Sequence, residues 1–186
     1  MAHLTENAIM GSFVKLLSEK PFDKITVTDI VEDCQITRRT FYYHYADLYE
    51  LTKALFHTET ERAIADYEET GSWEECFIRG CRFIMENRRA VYHIFQSVHR
   101  AELEKYVDQI AAEVMSRYLD RQAAGLAVQT RDKQLICDFY RYALSGLLYQ
   151  WLEDGMKQDP EALIHRLGIL FDGNIRRSLE RSAGQT

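Results

Sequence analysis

The stretch "TRRTFYYHY" at residues 37–45 puts two arginines beside hydroxyl, phenol and imidazole groups, with no carboxylate among them. A guanidinium can make paired hydrogen bonds to guanine O6 and N7. Threonine and tyrosine hydroxyls and histidine reach phosphate oxygens and fix register. This is the chemistry of recognition, not of bond breaking. The chain carries no GxSxG, P-loop, dinucleotide fingerprint or HExxH, so no enzyme activity and no cofactor is expected. Cys76, Cys81, His93 and His99 are the right types for zinc. Their i, i+5 and i, i+6 spacings do not share a helix face, so no metal site is expected.

The elements that must position these groups are helical. Residues 4–19 place Ile9, Phe13, Leu16 and Leu17 on one stripe, and Pro21 ends the pattern. Thr26 with Asp29 reads as a capping box opening a short helix over Val27, Ile30 and Val31. Thr37 is a natural N-cap for the next. That helix puts Phe41 and Tyr45 on one stripe and Arg38, Arg39, Tyr42 and Tyr43 on the other. Two short helices after a longer one make a helix-turn-helix unit, whose second short helix enters the DNA major groove.

Further along, Asp47 with Glu50 opens a long helix to about Tyr67, and Ser72 with Glu75 one to about Glu86. Asn87 caps a shorter helix. Others run from about Ala101 to Arg121 and over roughly 131–155. The latter is apolar nearly all round, which predicts burial on more than one side. Asp159-Pro160 starts the last. The fold class expected is all-α, with about nine helices.

The 186 residues suit one domain, or a small domain joined to a larger one. Hydrophobic residues make up 46%, enough for a sizeable core. A net charge of −6 argues against nonspecific nucleic-acid binding but leaves room for a local basic patch. No signal peptide and no membrane span is visible. Four cysteines without CxxC pairing fit a reduced, cytoplasmic protein.

"FDKITVTDIVEDCQITRRTFYYHYADLYEL" resembles the DNA-binding segment of the TetR family of bacterial transcriptional regulators. The resemblance implies a helix-turn-helix DNA-binding domain over 1–46 and an effector-binding and dimerisation domain over 47–186. It implies DNA contacts at Thr28, Thr37, Arg38, Arg39, Thr40, Tyr42, Tyr43 and His44, with Phe41 and Tyr45 at packing positions. Two positions depart from the family pattern. Gln35 stands where glycine is common in the turn. Leu48 stands where lysine often follows the cap of the fourth helix, which implies either one phosphate contact fewer and a lower affinity, or compensation by Lys53 or Lys24.

The rest of the chain follows from the same resemblance. One short recognition helix reads few base pairs, so two copies are needed, roughly 34–36 Å apart. A homodimer interface is expected at Tyr142, Gly146, Tyr149, Leu163, Leu167 and Leu170. The stretch "FYRYALSGLLYQWLEDGMKQDPEALIHRL" is similar to the C-terminal region of a TetR subgroup that includes a dihydroxyacetone-kinase regulator. An effector pocket is expected at Trp73, Phe77, Phe83, Tyr92, Phe95, Tyr118 and Phe139. The function implied is a repressor released from its operator by a small-molecule effector. The alternative is a TetR-like interaction protein acting through a protein partner with weak or no DNA binding.

Overall fold

The computed structural model describes residues 2–171 and 173–184, with side chains from Leu4 onward. Among these residues there are ten α-helices, one 3-10 turn and no strand. The helix count exceeds the expected nine because the last segment is split, with Gly173 at φ 67 between its two parts. The chain divides into two compact units. One combines residues up to Glu59 with Ile84–Tyr106. The other combines Thr60–Phe83 with the chain from Val107 onward. The expected functional boundary at 46/47 therefore lies within the first unit.

In the first unit, α1 (Ala2–Glu19) buries Ile9, Phe13, Leu16 and Leu17, the stripe seen in the sequence. A 3-10 turn (Phe22–Lys24) follows Pro21 and drops Phe22 into the core. The capping box then forms. Asp29 N–H donates to Thr26 Oγ1 at 3.2 Å, and Thr26 N–H donates to Asp29 Oδ2 at 2.7 Å. This starts α2 (Val27–Asp33), which packs on α1 and on α3 (Arg38–His44). Phe41 and Tyr45 of the α3 segment are buried at 0% and 6% exposure.

α4 (Leu48–Thr70) is capped over its first turn: Glu50 N–H donates to Asp47 Oδ1 at 2.8 Å, and Ala46 N–H donates to Glu50 Oε2 at 2.5 Å. After α5 (Trp73–Glu86) comes α6 (Arg88–Phe95), which packs along α1. The His93 ring locks the pair through Nδ1 to the Leu17 carbonyl at 2.6 Å. Asn87 makes no side-chain cap here, contrary to expectation; its ψ of 26° departs from the extended cap geometry that aims the amide at the first turn.

In the second unit, α7 (Arg100–Gln122) from Val107 onward, α8 (Thr130–Glu153), α9 (Pro160–Phe171) and α10 (Asn174–Ala183) join the second part of α4 and most of α5. Met115, Leu119, Cys137, Leu144, Ile175 and Leu179 form the core, with Trp73, Phe77, Tyr118, Tyr140 and Leu167 packed against it. Ser182 Oγ donates to Asp132 Oδ2 at 2.6 Å, fixing α10 on α8. Asp159 caps α9 as expected, accepting from Glu161 N–H at 3.0 Å. Within this single chain α8 is buried on one face, and the second side expected to be buried is open. Leu135, Phe139 and Tyr142 stand 68%, 66% and 59% exposed, because only the face carrying Cys137 and Leu144 meets the core.

Candidate nucleic-acid interface

The turn between α2 and α3 sets the aim of α3. Ile36 N–H donates to Val31 O at 3.0 Å and Gln35 N–H to Glu32 O at 3.2 Å. This is a Schellman closure, whose C′ residue adopts a left-handed conformation. Gln35 fills that position at φ 54. The turn thus demands the positive φ that glycine adopts freely, and glutamine bears a strain of about 1 kcal/mol. Ile36 then sits half-buried at the edge of the core, and Thr37 Oγ1 accepts from Thr40 N–H at 3.1 Å to start α3.

This anchoring divides α3 into two faces. Phe41 faces in. Arg38, Arg39, Tyr42 and Tyr43 are exposed, the two tyrosines at 53% and 82%. Large exposed phenols on a short helix are unusual and mark a contact surface. The Thr37 and Thr40 hydroxyls lie 2.9 Å apart, so each keeps hydrogen-bonding capacity beyond the cap. Arg38 Nη2 donates to Thr28 Oγ1 at 2.5 Å, which brings Thr28 to the same surface.

Two of the three acids of α2 are paired with lysines, and the third, Glu32, is exposed. Asp29 pairs with Lys20 at 2.8 Å, and Asp33 with Lys15 at 2.5 Å. Lys20 together with the Thr26 cap holds the Asp29 carboxyl down to about 2. The pairing of Asp33 with Lys15 also lowers that carboxyl. Arg39 has no ion-pair partner among the described residues, so its charge is available to an incoming anion.

Two predicted residues are placed differently from the rest. The His44 imidazole is only 7% exposed and lies 3.3 Å from Glu6 Oε1, turned toward α1 and away from the open face. Its ring meets the Tyr43 ring edge-on at 5.2 Å. Lys53 is exposed on α4 and stacks its ammonium over the Tyr49 ring at 4.2 Å. Sequence reasoning missed Glu6, Lys15, Lys20 and Tyr49. The i, i+4 spacing of Tyr49 and Lys53 carried a signal; the other three act across long sequence separations and carried none.

The remaining predicted residues fall as follows. Tyr92 and Phe95 belong to the first unit, where the Arg100 guanidinium lies 4.1 Å over the Phe95 ring. Trp73, Phe77 and Tyr118 pack together in the second unit, and Phe83 is half-buried there. Phe139 faces outward and lines no interior wall. Tyr142, Gly146 and Leu170 are exposed; Tyr149, Leu163 and Leu167 are half-buried. Tyr149 donates its hydroxyl to Asp108 Oδ1 at 3.0 Å. Leu135, Phe139, Ile169 and Phe171 extend the exposed apolar surface of α8 and α9 beyond the predicted set.

Residues 12–55 match the family described as "Bacterial regulatory proteins, tetR family", and residues 71–173 match "Transcriptional regulator C-terminal region", a TetR C-terminal family. The chain belongs to the TetR family. The two family descriptions make the chain a transcriptional regulator of the TetR type. It is 26% identical over 92 residues to the HTH-type dhaKLM operon transcriptional activator DhaS of Lactococcus lactis, covering 50% of this chain and 49% of that protein. It is 26% identical over 164 residues to the HTH-type transcriptional regulator YxbF of Bacillus subtilis, covering 86% and 42%. The matches thus span less than half the length of these curated relatives. The solved structure of the dihydroxyacetone kinase operon activator DhaS superposes with a TM-score of 0.78 at 20% identity, over 93% of this chain and 97% of that one. A TetR regulator from Streptococcus agalactiae gives 0.56 at 19% identity, over 89% and 92%. These likenesses establish the shared fold. Among the described residues no helix is long and apolar enough to cross a membrane.

Proposed function

We propose that the chain is an operator-binding homodimer whose occupancy of DNA is set by a small-molecule effector. The observation that carries the reading is the open face of α3: Arg38, Arg39, Tyr42 and Tyr43 exposed together while two of the three α2 acids, Asp29 and Asp33, are paired with lysines. Arg38 and Arg39 read bases, while Thr28, Thr37, Thr40, Tyr42, Tyr43 and Lys53 hold phosphates. His44, turned toward Glu6, acts on this face through Tyr43, whose ring it meets edge-on at 5.2 Å.

Homodimerisation is supported by the exposed apolar side chains of α8 and α9. Leu135, Phe139 and Tyr142 recur at i, i+4, i+7, in line with Gly146, and Ile169, Leu170 and Phe171 end α9. Exposed apolar side chains repeated along a helix face are costly in water and suit a second copy. An effector acts only through its differential affinity for the DNA-competent and the released states. The long α4 carries that difference, since it contributes to both units.

Repression with release is the sign we propose. The activator role in the name of DhaS favours the opposite sign as a second reading. The test is binding to the chain's own upstream region over a salt series, followed by transcription in vitro on the bound fragment. Specific binding that falls with salt supports the DNA reading. Less transcript with protein means repression, and more means activation. No binding above background at low salt would favour action through a protein partner.

A further inference from the structure

Tyr67 of α4 is fully buried, and its hydroxyl has no hydrogen-bond partner among the described residues. A hydroxyl left so in a core is costly, so the site asks for an acceptor. The surrounding lining is apolar: Val114, with Trp73, Ile110 and Tyr118 around it. Cys76 stands there too, but its thiol is already used, donating to Ala63 O at 3.4 Å.

A cation caps the same ring. The Arg121 guanidinium lies 4.9 Å from the Tyr67 ring centroid and is exposed on its outer side. Arg117, one turn earlier, is held by Glu113 at 2.7 Å and Glu68 at 2.5 Å. Arg121 has no carboxylate partner among the described residues. Gly71, at φ +66, makes room for it: a Cβ there would fall 2.5 Å from Arg121 Nη1. Arg121 is also the leading charge acting on the Tyr67 phenol. A buried donor and an unpaired cation thus flank one apolar lining.

We infer that Tyr67 and Arg121 form a binding site for a small aromatic carboxylate, which rests on the effector reading and gives it a ligand class. The carboxylate oxygens accept from the Tyr67 hydroxyl and the Arg121 guanidinium, a charge-assisted pair of bonds. The ring of the ligand lies against Trp73 and Tyr118. A polyhydroxylated anion fits poorly, because its hydroxyls would be buried without partners in this lining. Arg121 is the way in, since it is the solvent-facing member and covers bare backbone at Gly71.

The experiment is calorimetric titration of the full chain with benzoate and salicylate, and with benzyl alcohol as the neutral control. Wild type, Tyr67→Phe and Arg121→Ala are compared, with operator affinity measured on the same samples. The expected result is saturable carboxylate binding, weakened at least tenfold in each variant, with no binding of benzyl alcohol. Failure of both carboxylates to bind at millimolar concentration overturns the proposal. So does a Tyr67→Phe protein that melts higher and binds as wild type, which makes the phenol a core residue only. Carboxylate binding that leaves operator affinity unchanged upholds the site and refutes release by this ligand. Release by a neutral compound, unaffected in both variants, upholds effector control and overturns the site.

Discussion

Arg38 Nη2 donates to Thr28 Oγ1 at 2.5 Å, tying the first residue of α3 to the first turn of α2. The bond fixes one of the two exposed guanidinium groups before DNA arrives, while Arg39 beside it stays unpaired. A positioned donor loses less freedom on binding. The two arginines are therefore expected to behave differently when removed.

Arg39→Ala should cost about 1–3 kcal/mol on the cognate site and relax specificity at one base position. Arg38→Ala should cost a similar amount, but Thr28→Val should already remove part of it. A double-mutant cycle read by operator titration is expected to give a coupling of about 0.5 kcal/mol or more between 28 and 38, and near zero between 28 and 39. Equal coupling for both pairs would show that the bond does not matter in the complex.

Gln35→Gly should stabilise the protein. The residue holds φ 54 to close the α2 turn, and glycine adopts that region without a Cβ clash. Part of the gain is offset by the greater freedom of glycine in the unfolded chain. A net rise of about 0.5–1 kcal/mol in urea unfolding is expected, with DNA affinity unchanged. A loss of stability would mean that the Gln35 side chain contributes more than its backbone strain costs.

The α2 cap makes stability depend on acid pH. Asp29 sits at about 2 when folded, against an ordinary 3.8, through Lys20 and then the Thr26 side chain and backbone. Its folded value is depressed, so its contribution is complete above about 4 and fades as pH falls toward 2. Thermal melts from pH 6 down to about 2 should show this loss, and Asp29→Asn should flatten that part of the profile. Identical profiles for the two proteins would discount the cap as a source of acid sensitivity.

Buried thiols should be inert in the native state. Desolvation pushes Cys76 up to about 11 and Cys81 up to about 12, so the reactive thiolate is scarce near neutrality. Iodoacetamide at pH 8 should leave both unlabelled while the chain is folded and label them once it is unfolded, read by peptide mass. Rapid native labelling of Cys76 would indicate that the Tyr67 cluster opens readily.

The exposed faces of α8 and α9 can be tested by charge. Phe139→Glu with Leu170→Glu should leave helix content intact and convert the protein to monomer at micromolar concentration in sedimentation. Operator affinity should fall together with the dimer, because a single α3 cannot span two half-sites. A variant that stays dimeric would place the interface elsewhere.

Local signals in the sequence determined most of the first unit. Thr26 with Asp29, Thr37 with Thr40, and the Phe41/Tyr45 stripe act within one helical turn, so spacing alone set the α2 and α3 starts and the inward face of α3. The open face of Arg38, Arg39, Tyr42 and Tyr43 followed as its complement. Tertiary structure decided what depends on distant partners. Glu6 turns His44 inward from 38 residues away, and Lys15 and Lys20 take up Asp33 and Asp29. No local period records such pairings. Structure likewise separated apolar residues of one type into different roles, with Leu144 in the core and Phe139 in solvent on the same helix. A sequence shows that a helix is apolar; which side meets a neighbour is fixed only when the neighbours have packed.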